Sequence, residues 1–156
     1  MESILAIIIA VVSGVLVYLV GEMIREIWLL PLQQFKQLKC SISYNLVFYA
    51  NKYTNLCDRI NAKPDEFAEY NDASLTFRKL ASELSGFIDT LAWFKPSLPK
   101  VEDLRIASKN LMAISNNFFY SGNPNQCIST IDRNIKSAEY VRKHINLKYD
   151  PNILQS

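Results

Sequence analysis

Residues 4–21, Ile-Leu-Ala-Ile-Ile-Ile-Ala-Val-Val-Ser-Gly-Val-Leu-Val-Tyr-Leu-Val-Gly, run for eighteen positions without a charged side chain. Coiled as a helix rising ~1.5 Å per residue, such a stretch covers ~27 Å, close to the hydrocarbon thickness of a bilayer. Tyr18 stands near its end, where an interfacial aromatic belongs. A secretory leader would carry a basic start and an Ala-x-Ala-like cleavage site. Here the start is Met1-Glu2-Ser3, and the apolar run flows through Glu22-Met23-Ile24-Arg25-Glu26-Ile27-Trp28-Leu29-Leu30, which still reads as helix. The stretch is therefore read as a retained transmembrane anchor with a juxtamembrane helical extension, residues 1–30. Residues 31–156 remain to form a domain of their own.

Arg25, Lys36 and Lys39 follow the span within the window where basic residues set orientation, and only Glu2 precedes it. The expected topology is a single pass with the N-terminus outside and the domain in the cytoplasm. Three cysteines, Cys40, Cys57 and Cys127, have no C-x-x-C spacing and fall in helical patterns, which reads as free, half-buried thiols in a reducing compartment. Beyond Pro31 there are 16 basic and 12 acidic side chains, an excess too small and too dispersed for nucleic acid. It suits a domain held beside an anionic leaflet.

Every long segment after the anchor has helical periodicity. From Pro31 the apolar positions Phe35, Leu38, Ile42, Leu46, Tyr49, Tyr53, Leu56 and Ile60 predict one long helix. Asn61-Ala62-Lys63-Pro64 breaks it, and Asp65 to Glu69 reads as a loop with a turn of helix. A second helix, capped by Asn71 or Asp72, carries Leu75, Phe77, Leu80, Ala81, Leu84, Phe87, Ile88, Leu91 and Phe94. The two prolines of Lys95-Pro96-Ser97-Leu98-Pro99 end that helix. A third helix has Glu102 and Asp103 in its first turn and a stripe of Val101, Leu104, Ala107, Leu111, Ile114 and Phe118. Ser121-Gly122-Asn123-Pro124 closes it and opens a fourth, with the stripe Ile128, Ile131, Ile135, Ala138, Val141 and Ile145. The expected fold is all-α: an N-terminal transmembrane helix followed by an antiparallel four-helix bundle, with no strand and with Leu80, Leu84, Leu111 and Ile131 in its core.

Catalytic chemistry finds little to work with. The single histidine, His144, has no His, Cys, Asp or Glu at helical spacing and reads as part of a solvated helix face. None of the H-E-x-x-H, G-x-x-x-x-G-K or G-x-S-x-G patterns occurs, and four glycines leave nothing from which to build a phosphate-cradling loop. Asp65, Glu66, Glu69 and Asp72 cluster where capping and solvation account for them, and Cys57 has no histidine within its own segment to activate it. No catalytic residue, metal site or cofactor is expected.

Amides and hydroxyls embedded in the apolar stripes invite two readings. Asn45, Asn51, Asn55, Arg78, Ser82, Ser115, Asn116 and Asn117 can pair with one another and fix helix register. Alternatively, Asn45, Tyr49, Asn55, Arg78, Ser82 and Asn116 line a polar pocket, with Tyr44 and Tyr53 as further aromatic walls. The strings Tyr49-Ala50-Asn51-Lys52-Tyr53-Thr54-Asn55, Phe77-Arg78-Lys79-Leu80-Ala81-Ser82-Glu83-Leu84 and Leu111-Met112-Ala113-Ile114-Ser115-Asn116-Asn117 resemble those of a poorly characterised group of small bacterial proteins. Members of that group have one N-terminal membrane helix and a helical cytoplasmic domain. The resemblance covers most of the chain, implies bacterial origin and this architecture, and transfers no functional residue.

Within the span Ala6, Ala10 and Gly14 recur every four residues and Gly21 follows seven later, a small-residue face of the kind on which membrane helices associate. The expected function is a non-enzymatic effector or interaction protein of the bacterial inner membrane. Its partners would be the lipid bilayer, copies of itself and a cytoplasmic protein. This architecture resembles the membrane-disrupting arms of phage-defence and toxin systems. The alternative is a membrane-anchored small-ligand receptor or enzyme that uses the amide pocket.

Overall fold

A single helical rod opens the chain in the computed structural model, which describes residues 2–91, 98–121 and 124–147. Helix α1 (Glu2–Ile24) passes through a π-helical turn (Arg25–Leu29) into α2 (Leu30–Phe48) without leaving helical backbone geometry. Pro31 explains the wide turn. Its ring would meet the carbonyl of Ile27 in a regular helix, and it has no N–H to give. One turn of wider helix, closed by Leu30 N–H on the Arg25 carbonyl, carries the chain past the proline. The rod holds one helix long and apolar enough to cross a membrane, and none of its most apolar window is buried.

The expected long helix from Pro31 to Ile60 stops early. Tyr49 leaves helical geometry at φ −98°, ψ 17°, a short α3 (Ala50–Thr54) follows, and Asn55 is extended. Thr54 Oγ1 donates to the Ala50 carbonyl, the kind of local bond that competes with a continuing helix. Ile60, expected on the stripe, is 71% exposed, whereas Cys57 is buried. Cys57 lies in β1 (Cys57–Asp58), which pairs in parallel with β2 (Phe119–Tyr120). This two-residue ladder was not expected from the sequence, because strands so short leave no alternating pattern.

Helix α4 (Pro64–Thr90) begins seven residues before the expected cap at Asn71. Proline in its first turn, Asp65 and Glu66 beside it and an extended Lys63 are ordinary helix-start features. The acidic stretch from Asp65 to Glu69, expected as a loop with a turn of helix, is thus the first part of α4. The expected end of this helix near Phe94 lies outside the described residues. Helix α5 (Val101–Asn116) starts as expected and ends two residues short of Phe118, whose ring is nevertheless fully buried in the link to β2.

Helix α6 (Pro124–His144) brings the largest correction. Its buried side chains are Thr130, Asn134, Ser137, Ala138 and Val141, with Ile145 just beyond. Ile128 is 62% and Ile135 39% exposed, and Ile131 is half-buried rather than in the core. The N-terminal half of the helix is rotated away from its isoleucine stripe, so that a polar face looks inward.

The core gathers Phe35, Ile42 and Leu46 of α2, Tyr53 of α3, and Phe77, Leu80, Leu84 and Ile88 of α4. Leu104, Leu111 and Ile114 of α5, Phe118 after it, Val141 of α6 and Ile145 just beyond join them. Ser74 Oγ donates to the Ser115 carbonyl and Ser108 Oγ to that of Ala81, linking α4 and α5. Phe35 stacks on Phe87 at 5.8 Å, while Tyr49, at the other end of α2, donates to Asp72. Lys39 Nζ reaches the Asn146 carbonyl, tying α2 to the end of α6.

Leu84 is fully buried, so Leu84→Ala should cost ~2–5 kcal/mol in equilibrium unfolding of the full chain in detergent, with Ile131→Ala clearly milder. Equal losses for the two variants would contradict the rotated α6.

Candidate functional site

The six residues expected to form a polar pocket are distributed over two seams and two helix surfaces. At the α2–α4 seam Tyr49 Oη donates to Asp72 Oδ2 at 3.0 Å, and burial followed by this bond raises the Tyr49 phenol above its ordinary pKa. Asn55 is exposed, and its backbone carbonyl accepts from the Tyr70 hydroxyl. At the α4–α5 seam Arg78 Nη2 donates to Asn116 Oδ1 at 2.9 Å, a bond between exposed side chains. Asn45 Nδ2 and Ser82 Oγ each return to a carbonyl of their own helix, those of Ser41 and Arg78. A groove of ≈ 420 Å³ between α2 and α4 is lined by Gln34, Gln37, Ser41, Glu83 and Thr90 around Phe87, and none of the six lines it.

A second bonded polar surface lies at the α3–α4 corner. Lys52 pairs with Glu69 and sits 4.9 Å over the Tyr70 ring. Burial raises the Tyr70 phenol, with the charges of Cys57, Glu66 and Glu69 adding to the shift. Next to it the chain turns at Asp58, whose carboxylate accepts from the Ile60 N–H at 2.9 Å and from Asn61 Nδ2 at 2.7 Å. The Ile60 bond first, and then Asn61, hold this carboxyl below the usual range. These bonds secure the loop between β1 and α4.

Asn134 is the residue that stripe counting overlooked. Fully buried, its Nδ2 donates to the Tyr53 carbonyl at 3.1 Å and to the Asn117 carbonyl at 3.2 Å. Those carbonyls lie at the C-terminal ends of α3 and α5, where a helix leaves acceptors without internal partners. Two acceptors on one nitrogen also fix which way the amide faces. Around it, Tyr53 Oη donates to the Leu46 carbonyl and accepts from Arg142 Nη2 at 3.3 Å. Asn134 Oδ1 and Ser115 Oγ are buried without a partner. The signal in the sequence was a second periodic set, Thr130, Asn134, Ser137, Ala138, Val141 and Ile145, which shares its last three members with the isoleucine stripe.

His144 corrects a further expectation. Instead of facing solvent it is 18% exposed, and its Nδ1 lies 2.7 Å from Asp103 Oδ1. Asp103 belongs to the first turn of α5 and His144 to the last turn of α6, so each also meets a helix dipole of favourable sign when both are charged. The partner is 41 residues away in sequence, beyond the reach of a spacing search. All three cysteines are free: Cys40 is exposed, Cys127 half-buried and Cys57 buried in an extended segment instead of a helix. Among the described residues no three His, Cys, Asp or Glu side chains are grouped to hold a metal ion.

Comparison with protein-family models, with curated proteins and with solved structures finds no match to the chain.

Replacing Asn134 with Leu removes the donor that the Tyr53 and Asn117 carbonyls share, so a loss of ~1–3 kcal/mol is expected in denaturant unfolding. A change below ~0.5 kcal/mol, the level of an ordinary surface substitution, would show that neither carbonyl depends on the amide.

Cys57 supplies a pH-dependent readout. Burial pushes its thiol up, the Glu66 and Asp58 charges reinforce the rise and Lys52 opposes it. With the folded pKa above the unfolded one, its contribution to stability is complete below the ordinary thiol pKa of ~8.5 and is lost as pH rises from there through the folded value. In a native alkylation series Cys40, which is exposed, should label first, with buried Cys57 spared to higher pH. Equal labelling of Cys40 and Cys57 near neutrality would contradict this placement.

Proposed function

We propose that the chain is a non-enzymatic, membrane-anchored effector or interaction protein of the bacterial inner membrane. Its N-terminus lies outside, and α2 to α6 form an antiparallel four-helix bundle with a short α3 in the cytoplasm. The observation that carries this reading is the unbroken passage from α1 into α2. The helix that would cross the bilayer is the same helix that supplies Phe35, Ile42 and Leu46 to the core. A rotation or displacement of the bundle is thereby transmitted to the anchor without an intervening flexible linker.

The anchor offers a surface on which such a signal can act. Ala6, Ala10, Gly14 and Gly21 leave a shallow face, and a Cβ placed on Gly14 or Gly21 meets nothing within 4 Å. That space admits the backbone of a neighbouring copy, the usual mode of close helix association in lipid. Arg25, Lys36 and Lys39 on the bundle side support the orientation. The bundle surface supplies the site for a cytoplasmic protein partner.

One experiment with two arms tests the proposal. A reporter fused after Ser156 should be active in the cytoplasm and silent in the periplasm. Overproduction of the native chain should depolarise cells, and the Ala10→Leu, Gly14→Leu double variant, still apolar and inserted, should not. Unchanged polarisation with both chains removes the membrane-acting role, and a periplasmic reporter signal reverses the orientation.

A further inference from the structure

The apolar exposure of the rod does not end where the uncharged run ends. Met23, Ile24, Ile27, Trp28, Leu29 and Leu30 are all exposed, by 42–60%. The π-helical turn contains no buried residue, and cover by the bundle begins only with the half-buried Pro31 and Leu32. Successive side chains turn by ~100° in an α-helix and by somewhat less in the π-helical turn, so these six are spread round the circumference. A single partner helix covers one stripe and would leave the remainder in water; apolar surface on every side is the pattern of a helix in lipid.

We infer that the bilayer covers the rod as far as Leu30, with Trp28 in the headgroup layer on the bundle side, so that the bundle rests directly on the membrane. The inference rests on the membrane-anchored reading above. From Ile4 to Leu30 the rod measures ~39 Å at ~1.5 Å per residue, longer than a ~30 Å hydrocarbon core and close to the ~40–45 Å of a bilayer with its headgroups. A headgroup layer of ~5–7 Å takes up Glu26 to Leu30, and the ~20 residues before them fill the hydrocarbon. The charges at this boundary are consistent with that register. Glu22 and Arg25 form an ion pair at 2.9 Å, so together they carry no net charge where the hydrocarbon ends. Glu26 stands at headgroup level, and Trp28 occupies the depth at which tryptophan is enriched.

The chain has two tryptophans, so Trp93→Phe leaves Trp28 as the sole indole of the full-length protein. The protein is reconstituted in phosphatidylethanolamine–phosphatidylglycerol vesicles containing lipids with quenchers at either a shallow or a deep position. Trp28 should be quenched severalfold more by the shallow label than by the deep one, and iodide on the bundle side should quench it severalfold less than a free tryptophan amide. A second variant, Val12→Trp with both native tryptophans changed to Phe, reports on the middle of the span. If that indole is quenched by the deep label while Trp28 is fully open to iodide, the inference falls and the span stands. If the indole at position 12 is itself open to iodide, the membrane-anchored reading fails as well. Protection of Trp28 from iodide without quenching by either lipid label assigns the cover to protein and overturns the inference, as does stronger quenching by the deep label.

Discussion

One buried amide sets the arrangement of the helices. Asn134 is enclosed on α6 and gives both protons of its side-chain nitrogen to carbonyls at the ends of α3 and α5. A buried carbonyl left without a donor costs ~1–3 kcal/mol, comparable to the gain from burying a single isoleucine side chain at ~1.5–3 kcal/mol. From this face Asn134 serves two carbonyls, while Ile128 and Ile135 stay partly in solvent. From this orientation of α6 follow the placement of Tyr53 against Arg142, the exit of α3 toward β1, and the pairing of β1 with the segment after α5. His144 then arrives beside Asp103 at the opposite end of the same two helices.

The second constraint is the proline at the junction of anchor and domain. Pro31 would ordinarily interrupt a helix, and an interruption there would uncouple the two parts. The π-helical turn takes up the geometric conflict within five residues, and the rod continues. The coupling gives the proposed function a mechanical basis: the first helix of the core and the helix proposed to cross the membrane share one axis of transmission. Of the groups with shifted pKa values, Tyr49 lies at the α2–α4 seam, and Cys57, Asp58, Tyr70 and Tyr120 gather around the loop between α3 and α4 and the β1–β2 ladder beside it. There burial and turn hydrogen bonds account for each of them. They describe how that corner is held together.

Legibility in the sequence followed the range of the interaction that controls each element. The apolar run from Ile4, the stripes of α4 and α5 and the core positions Leu80, Leu84 and Leu111 were readable, because periodic burial on a single helix is a local property. The start of α4 was also written locally, in Pro64, Asp65 and Glu66, but the weak apolar pattern of residues 65–69 masked it. The six-residue polar pocket was a different kind of expectation. It joined side chains by their rarity in apolar stripes, and the fold places Asn45 and Ser82 against their own helices and Arg78 with Asn116 at a seam open to solvent.

The sequence alone established an apolar N-terminal helix of membrane-spanning length and an otherwise mainly helical chain, since hydrophobic content and period depend only on the order of residues. Tertiary structure alone could settle which face of α6 looks inward, where α2 gives way to α3, that Cys57 pairs beside Phe119, and that Asp103 meets His144. All but the break between α2 and α3 join groups that are distant in sequence, and they turn on a comparison of energies available only when the helices are in contact. The isoleucines of α6 advertised one face through their hydrophobicity. A different face turns inward, the one from which Asn134 reaches the carbonyls at the ends of α3 and α5.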